Sequence, residues 1–348
     1  MSHASKLLGS ALRPKIRERG VVWIDENTRI RELEKAFSTH FGLYAVTNRL
    51  DLANGLEHWA KGRVRFNDFL TKGFQEASLD WAGLRVSKEK ALTHHAINQS
   101  WRLLKSEGKL VLSGNRNEGI KSYVQKAEAL LGSTASVKTT PSGARLAVIE
   151  KGLENGEFLD DRKYPEFREF EGKIVERFVS KPGIFGWNKE DEGSRLLIKH
   201  ARDLRGKSVL DIGCGYGLLS IAAANLGASR VVATDNCAGA LMATERNLKK
   251  LNTDFEVIAS DAGKEIAEKF DIVLCNPPFH QGKSEQRGLT RKFGRNIAKR
   301  LKVGGVAYVV VNTFISFEKE NTEFFPAVEE LANDGRFKVL RCLLSKVG

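Results

Sequence analysis

Beyond residue 200, short apolar, β-branched runs alternate with longer amphipathic ones. Residues 207–213 (KSVLDIG) form an apolar run closed by Asp and Gly, and 218–227 (LLSIAAANLG) predict a helix stopped by glycine. RVVATD (230–235) predicts the next strand, and 237–252 the next helix, ending at Asn252. Further strands are expected at 255–261 (FEVIASD), 270–278 (FDIVLCNPP) and 306–312 (VAYVVVN), with a last one in GRFKVLRCLLS. Strands alternating with helices predict right-handed crossovers and a mostly parallel sheet covered on both faces.

The first half repeats this pattern weakly. RLLKSEGKLVLSGNRN (102–117) resembles RLKVGGVAYVVVNTF (300–314), with Asn115 opposite Asn312. YAVTNR (44–49) can be laid against VATDNC (232–237), and SGARLAVIEKG (142–152) against the closing GRFKVLRCLLS. The common order predicts an α/β protein of two tandem Rossmann-like domains with doubly wound, mostly parallel sheets, the N-terminal one degenerate. The expected domains are 1–160 and 170–348, joined by the charged, aperiodic stretch 152–172, which contains Pro165. Degeneracy follows because Thr47 falls opposite Asp235, Val86-Ser87-Lys88 stands loosely opposite Asn276-Pro277-Pro278, and no DxGxG or NPP occurs before residue 170.

Composition narrows the classes. A length of 348 residues and a hydrophobic fraction of 41% suit two packed domains. No run approaches the ~18 apolar residues of a membrane span, and the start has no apolar stretch long enough for a signal peptide, so a cytoplasmic protein without membrane contact is expected. The four cysteines, Cys214, Cys237, Cys275 and Cys342, have no zinc-like spacing, and His94 and His95 cannot share one helical face, so no metal is expected. The formal net charge of +13 favours a polyanionic partner, and both halves are basic.

The chemistry gathers at strand ends. Asp211-Ile-Gly-Cys-Gly-Tyr-Gly217 places Gly213, Gly215 and Gly217 where a backbone must turn sharply and come close to a ligand. The spacing is DxGxGxG, unlike the dinucleotide GxGxxG, and a carboxylate at Asp211 suits a cofactor with a cationic amino-acid end. Asp235, next to Asn236, ends the next strand, where it could accept from two ribose hydroxyls; Asp261, next to Ala262, ends the third, where it could take an adenine amino group. Asn276-Pro277-Pro278-Phe279 ends the fourth. Prolines lack N–H donors and keep the chain extended. The Asn276 amide oxygen and the Pro277 carbonyl could thus accept both hydrogens of an exocyclic amine and aim its lone pair at a sulfonium methyl, with Phe279 stacking on the flat acceptor. After this motif, Arg287, Arg291, Arg295 and Lys299 recur every fourth residue and predict a basic helix stripe for RNA phosphates.

NPPFHQG, KPGIF (181–185), DEGSRLL (191–197), DIGCGYGLLS and GRFKVLR together resemble the bacterial ribosomal RNA guanine-N2 methyltransferases, the small-subunit enzyme in particular. The resemblance covers 181–346 and is weakest over the first 40 residues. It implies S-adenosylmethionine (SAM) as cofactor, ribosomal RNA or a ribosomal subunit as partner, and retained roles for Gly213, Gly215, Asp235, Asp261 and Asn276. It also implies that 1–160 is a methyltransferase-like domain lacking a cofactor site, with an RNA- or substrate-binding role. Adenine-N6 methylation, or a silent RNA-binding assembly factor that keeps SAM, are the alternatives.

Overall fold

The computed structural model describes residues 3–12, 18–153, 156–278 and 283–344. The chain divides into two compact units, Met1–Glu166 and Phe167–Gly348. Unit 1 contains strands β1 (Gly20–Ile24), β2 (Leu43–Thr47), β3 (Val64–Phe66), β4 (Leu79–Arg85), β5 (Leu104–Gly114), β6 (Ser136–Thr139) and β7 (Arg145–Glu150). Its helices are α1 (His3–Ala11), α2 (Glu34–Thr39), α3 (Leu50–Glu57), α4 (Lys90–Leu103) and α5 (Ile120–Leu131). Unit 2 opens with a hairpin of β8 (Arg168–Glu171) and β9 (Arg177–Ser180). Its sheet contains β10 (Ser208–Ile212), β11 (Arg230–Asp235), β12 (Asp254–Ala259), β13 (Phe270–Cys275), β14 (Leu301–Asn312), β15 (Ala327–Asn333) and β16 (Phe337–Leu343). Around it lie α6 (Glu192–His200), α7 (Leu218–Asn225), α8 (Ala238–Leu248), α9 (Lys283–Arg300) and α10 (Phe317–Glu320).

The two seven-stranded sheets share one topology: β3-β2-β1-β4-β5-β7-β6 in unit 1 and β12-β11-β10-β13-β14-β16-β15 in unit 2. In each, the central pairs are parallel and the sixth strand in the order runs antiparallel to its neighbours. The continuous apolar runs are explained by two-sided burial: every residue of β1 is buried, and four of the five in β10 are. The chain order reverses between β10 and β13, and such a switch point opens a crevice at the carboxyl ends of the strands. The glycine turn and Asn276 both leave the sheet at that edge.

The strand registers match residue by residue. A bulge separates Leu79 from Trp81 where β4 meets β5, and one separates Phe270 from Ile272 where β13 meets β14. With these aligned, Thr47 stands opposite Asp235 and Asn115 opposite Asn312, as the sequence pattern predicts. One correspondence needs correction: Leu84 matches Cys275, so Arg85, and not Val86, stands opposite Asn276. The slip arises because the first copy has no proline pair to fix the frame. The stretch 152–172 also differs from an open connection. Leu159 and Asn98 exchange two hydrogen bonds, Tyr164 is fully buried in unit 1, and 168–171 form a strand.

Candidate active site

Gly213, Gly215 and Gly217 all have left-handed backbones, with φ of 79°, 58° and 92°. A side chain is disfavoured there, and the glycines let β10 turn directly into α7. No atom lies within 4 Å of where a Cβ would stand on Gly213 or Gly215, so both border open space; at Gly217 the Thr244 side chain occupies it. Below the turn, Asp211 is fully buried, its Oδ2 accepting from the Ser220 hydroxyl at 2.6 Å. Oδ1 of Asp211 is buried with no hydrogen-bond partner. Burial pushes this carboxyl up to about 7; the Ser220 hydrogen bond opposes the shift, and the nearby Asp235 charge adds to it.

Asp235 closes the turn from the neighbouring strand. Its Oδ2 accepts from Gly215 N at 2.9 Å and its Oδ1 from Cys237 N at 2.8 Å, just before α8. Asn236 follows it, half-buried. The Asp261–Ala262 corner at the end of β12 is held by α9. Lys292 Nζ lies 2.6 and 2.5 Å from the two Asp261 carboxylate oxygens, and Asn296 donates to the Ala262 carbonyl at 3.0 Å. A polar group meeting Asp261 would therefore share it with an ammonium.

Asn276 emerges beside the turn: Ile212 pairs with Cys275, so Gly213 and Asn276 are the next residues out of adjacent strands. Its Nδ2 donates to Asp191 Oδ2 at 2.6 Å and to Ser194 Oγ at 2.9 Å. Pro277 is buried and Pro278 exposed, while Phe279 lies outside the described residues. The predicted basic helix is present as α9, despite two glycines. Gly294 is required there, because a Cβ would stand 2.0 Å from Asn321 Oδ1. Arg287 and Arg291 are exposed and pair with Glu320 and Glu323 at 3.3 and 2.7 Å; Arg295 and Lys299 are exposed. Such exposed pairs exchange readily for other anions.

Several residues that shape the site were not singled out from the sequence. Lys292 and Asn296 hide inside the basic run, one turn apart on the inward side of α9. Asp191 and Ser194 belong to DEGSRLL, where only the resemblance drew notice. Asn247 bonds Tyr216 O and, through both ends of its amide, Val179, which ties the turn to β9. The four cysteines remain thiols. Among the described residues no cluster of three metal-ligating side chains occurs, and no helix is long and apolar enough to cross a membrane.

Strand order, glycine turn and aligned strand-end carboxylates define a class: the Rossmann-like methyltransferase fold, present here twice. Residues 176–341 match the family model described as the methyltransferase small domain. A curated Enterobacter sp. relative named ribosomal RNA small subunit methyltransferase C is 30% identical over 227 residues, 65% of this chain and 66% of the relative. The Salmonella arizonae protein of the same name is 29% identical over 70% of each chain. The chain thus matches about two thirds of the length of these relatives. A solved T. thermophilus 16S rRNA N2 methyltransferase, in complex with AdoMet and guanosine, is 25% identical and superposes with a TM-score of 0.84 over 98% of this chain and 91% of that one. By these matches the chain is homologous to the proteins named ribosomal RNA small subunit methyltransferase C and carries the methyltransferase small domain.

Proposed function

We propose that this chain methylates the exocyclic N2 amine of a guanine in small-subunit ribosomal RNA, using SAM, in the cytoplasm. The observation that carries the reading is the emergence of the glycine turn and Asn276 side by side from β10 and β13. The residues present fit SAM: open space borders Gly213 and Gly215, and the buried Asp211 Oδ1 lacks the donor that an ammonium would supply. Asp211, Gly213, Gly215 and Gly217 then hold the amino-acid end, Asp235 and Asn236 the ribose, and Asp261 and Ala262 the adenine, with Asn276 facing the methyl-bearing end.

When bound, SAM supplies an electrophilic methyl: the amine lone pair forms the N–C bond while the C–S bond breaks and sulfur keeps its electrons. Asn276 Oδ1 and the Pro277 carbonyl accept the two amine hydrogens and orient the lone pair, which is catalysis by positioning. The alkylated nitrogen becomes acidic and sheds its proton to water, so no strong base is required. Phe279 stacks on the guanine, which has to leave its stack to reach the strand end. Arg287, Arg291, Arg295 and Lys299 hold flanking phosphates, and unit 1 serves RNA binding. The test is transfer of labelled methyl to rRNA from cells lacking the enzyme, with nucleoside analysis. N2-methylguanosine is expected; N6-methyladenosine, or SAM binding without transfer, would overturn the proposal.

A further inference from the structure

The Asn276 amide can face its pocket two ways, and only one leaves an acceptor for an amine. Its neighbours decide which. An ionised Asp191 carboxylate accepts hydrogen bonds and donates none, so the amide edge 2.6 Å away has to be the NH2. Ser194 Oγ accepts the second amide hydrogen at 2.9 Å. With both hydrogens taken, Oδ1 is the edge that remains for the substrate.

We infer that Asp191 and Ser194 are positioning residues for the acceptor site: they lock the Asn276 amide with its nitrogen inward, so its oxygen receives the amine. This rests on the reading of Asn276 as the amine acceptor and extends it to two residues on another element. Asp191 is itself well fixed. It is the N-cap of α6, its Oδ2 accepting from Ser194 N at 2.8 Å, so one carboxylate oxygen serves both the helix end and the amide. Gly193 leaves the space: a Cβ there would stand 3.3 Å from Asp191 Oδ2 and 3.2 Å from the Phe337 ring. Phe337 begins β16, so DEGSRLL and GRFKVLR meet at this point. The preceding residues reach the other half of the site, because the Tyr216 hydroxyl in the glycine turn donates to Lys189 O. Glu190 fixes the segment from behind, accepting from the Ile174 and Val175 amides. A single short segment therefore bonds both the glycine turn and Asn276.

The cap and the lock separate by substitution. Serine at 191 still caps a helix but is too short to reach Asn276, whereas asparagine can do both. For Asp191→Ser in the full chain we expect an unchanged melting temperature and SAM affinity, an unchanged KM for rRNA, and a kcat lower by about 10- to 100-fold, the usual cost of losing an orienting partner. Asp191→Asn recovers most of that loss. Ser194→Ala, which removes one acceptor and leaves the cap, lowers kcat by about threefold to tenfold. A second readout needs no turnover: the Asn276 side-chain NH2 resonance, assigned by its loss in Asn276→Ala, is protected from exchange in the wild type and averaged in Asp191→Ser. Should Asp191→Ser fail to fold, the same two readouts in Ser194→Ala decide. A folded Asp191→Ser protein with wild-type kcat, or with a protected Asn276 amide, overturns the inference. Wild-type protein that makes no N2-methylguanosine sinks the functional reading instead, and the amide comparison still decides the lock.

Discussion

At the end of β13, Asn276 can offer an acceptor oxygen; at the matching place in unit 1, Arg85 offers only donors. Its guanidinium pairs with Glu118, with the two side chains 5% and 9% exposed, and donates to the Val86 carbonyl. An amine brought there would meet the Arg85 donors in place of the amide oxygen that Asn276 can offer, with the Glu118 carboxylate already bonded to Arg85 and to Asn115 N. The other three strand ends differ in the same direction. Where unit 2 has Cys214-Gly215-Tyr216-Gly217, unit 1 has Asp25-Glu26-Asn27-Thr28, and Asp25 accepts from Asn27 N, Asn27 Nδ2 and the Thr28 hydroxyl. That loop is filled by its own side chains. Thr47 accepts from Arg49 N as Asp235 accepts from Cys237 N, so the turn-closing role survives while the charge is lost. Asp68 matches Asp261 and takes the Tyr164 hydroxyl at 2.9 Å, where Asp261 takes Lys292. Phe69 and Ala262 share the same φ of 55°, but a buried phenyl replaces a methyl. The fold needs the turns and caps, and both copies keep them. At these strand ends, among the described residues, unit 2 keeps an unpartnered Asp211 oxygen and open space beside Gly213 and Gly215, where unit 1 has the side chains of its own loop.

The sharpest break between the copies is at Asn276. Asn276→Ala should lower kcat by about 100- to 1,000-fold while SAM affinity stays within a few-fold, because the lost contact is made in the transition state. Stopped SAM binding with an unchanged rate at saturation would reverse the assignment. The mirror experiment in unit 1 is Arg85→Ala. Removing one partner strands Glu118 near-buried, which costs about 3–5 kcal/mol of folding stability. Denaturant unfolding followed at Trp23 should report that loss with SAM affinity unmoved; an unchanged midpoint would refute the reading of Arg85–Glu118 as a near-buried, stabilising pair.

A smaller effect comes from Asp211. Its raised value near 7 means that below neutral pH the ligand-free carboxyl holds a proton, which an incoming ammonium has to expel. SAM affinity should therefore rise by about tenfold from pH 6 to pH 8, and Asp211→Asn should flatten that dependence. Titration calorimetry at several pH values checks this, and a wild-type affinity independent of pH counts against an ammonium at Asp211. The smallest effect is expected on α9. Neutralising Arg287, Arg291 and Arg295 together should weaken RNA binding and lower the log–log salt slope by roughly 0.7–0.9 per lost phosphate contact, with the methylated base unchanged. Parallel salt plots for mutant and wild type would identify the stripe as a solvated face.

The repeat, the strand ends and the glycine turn are legible in the sequence because their signals are local: short continuous apolar runs, glycines that need positive φ, prolines that fix a frame. The partners of those residues are not. Lys292 reaches back 31 residues to Asp261, and Asp191 lies 85 residues before Asn276. Nothing in the spacing of a basic run distinguishes the inward lysine from the outward arginines. Nor does a charged N-cap advertise that the same oxygen will hold an amide from a distant strand. The one-residue slip at Arg85 has a related cause: on a strand with no proline pair at its end, a shift by one changes the face of every side chain without changing the composition.

That the two copies of the fold carry a single working site is tested most directly by the stoichiometry of SAM binding. Calorimetry on the full chain should give one site per chain, abolished by Asp235→Ala and indifferent to Thr47→Ala. Two sites of comparable affinity, or one that survives Asp235→Ala and is lost with Thr47→Ala, would contradict the account.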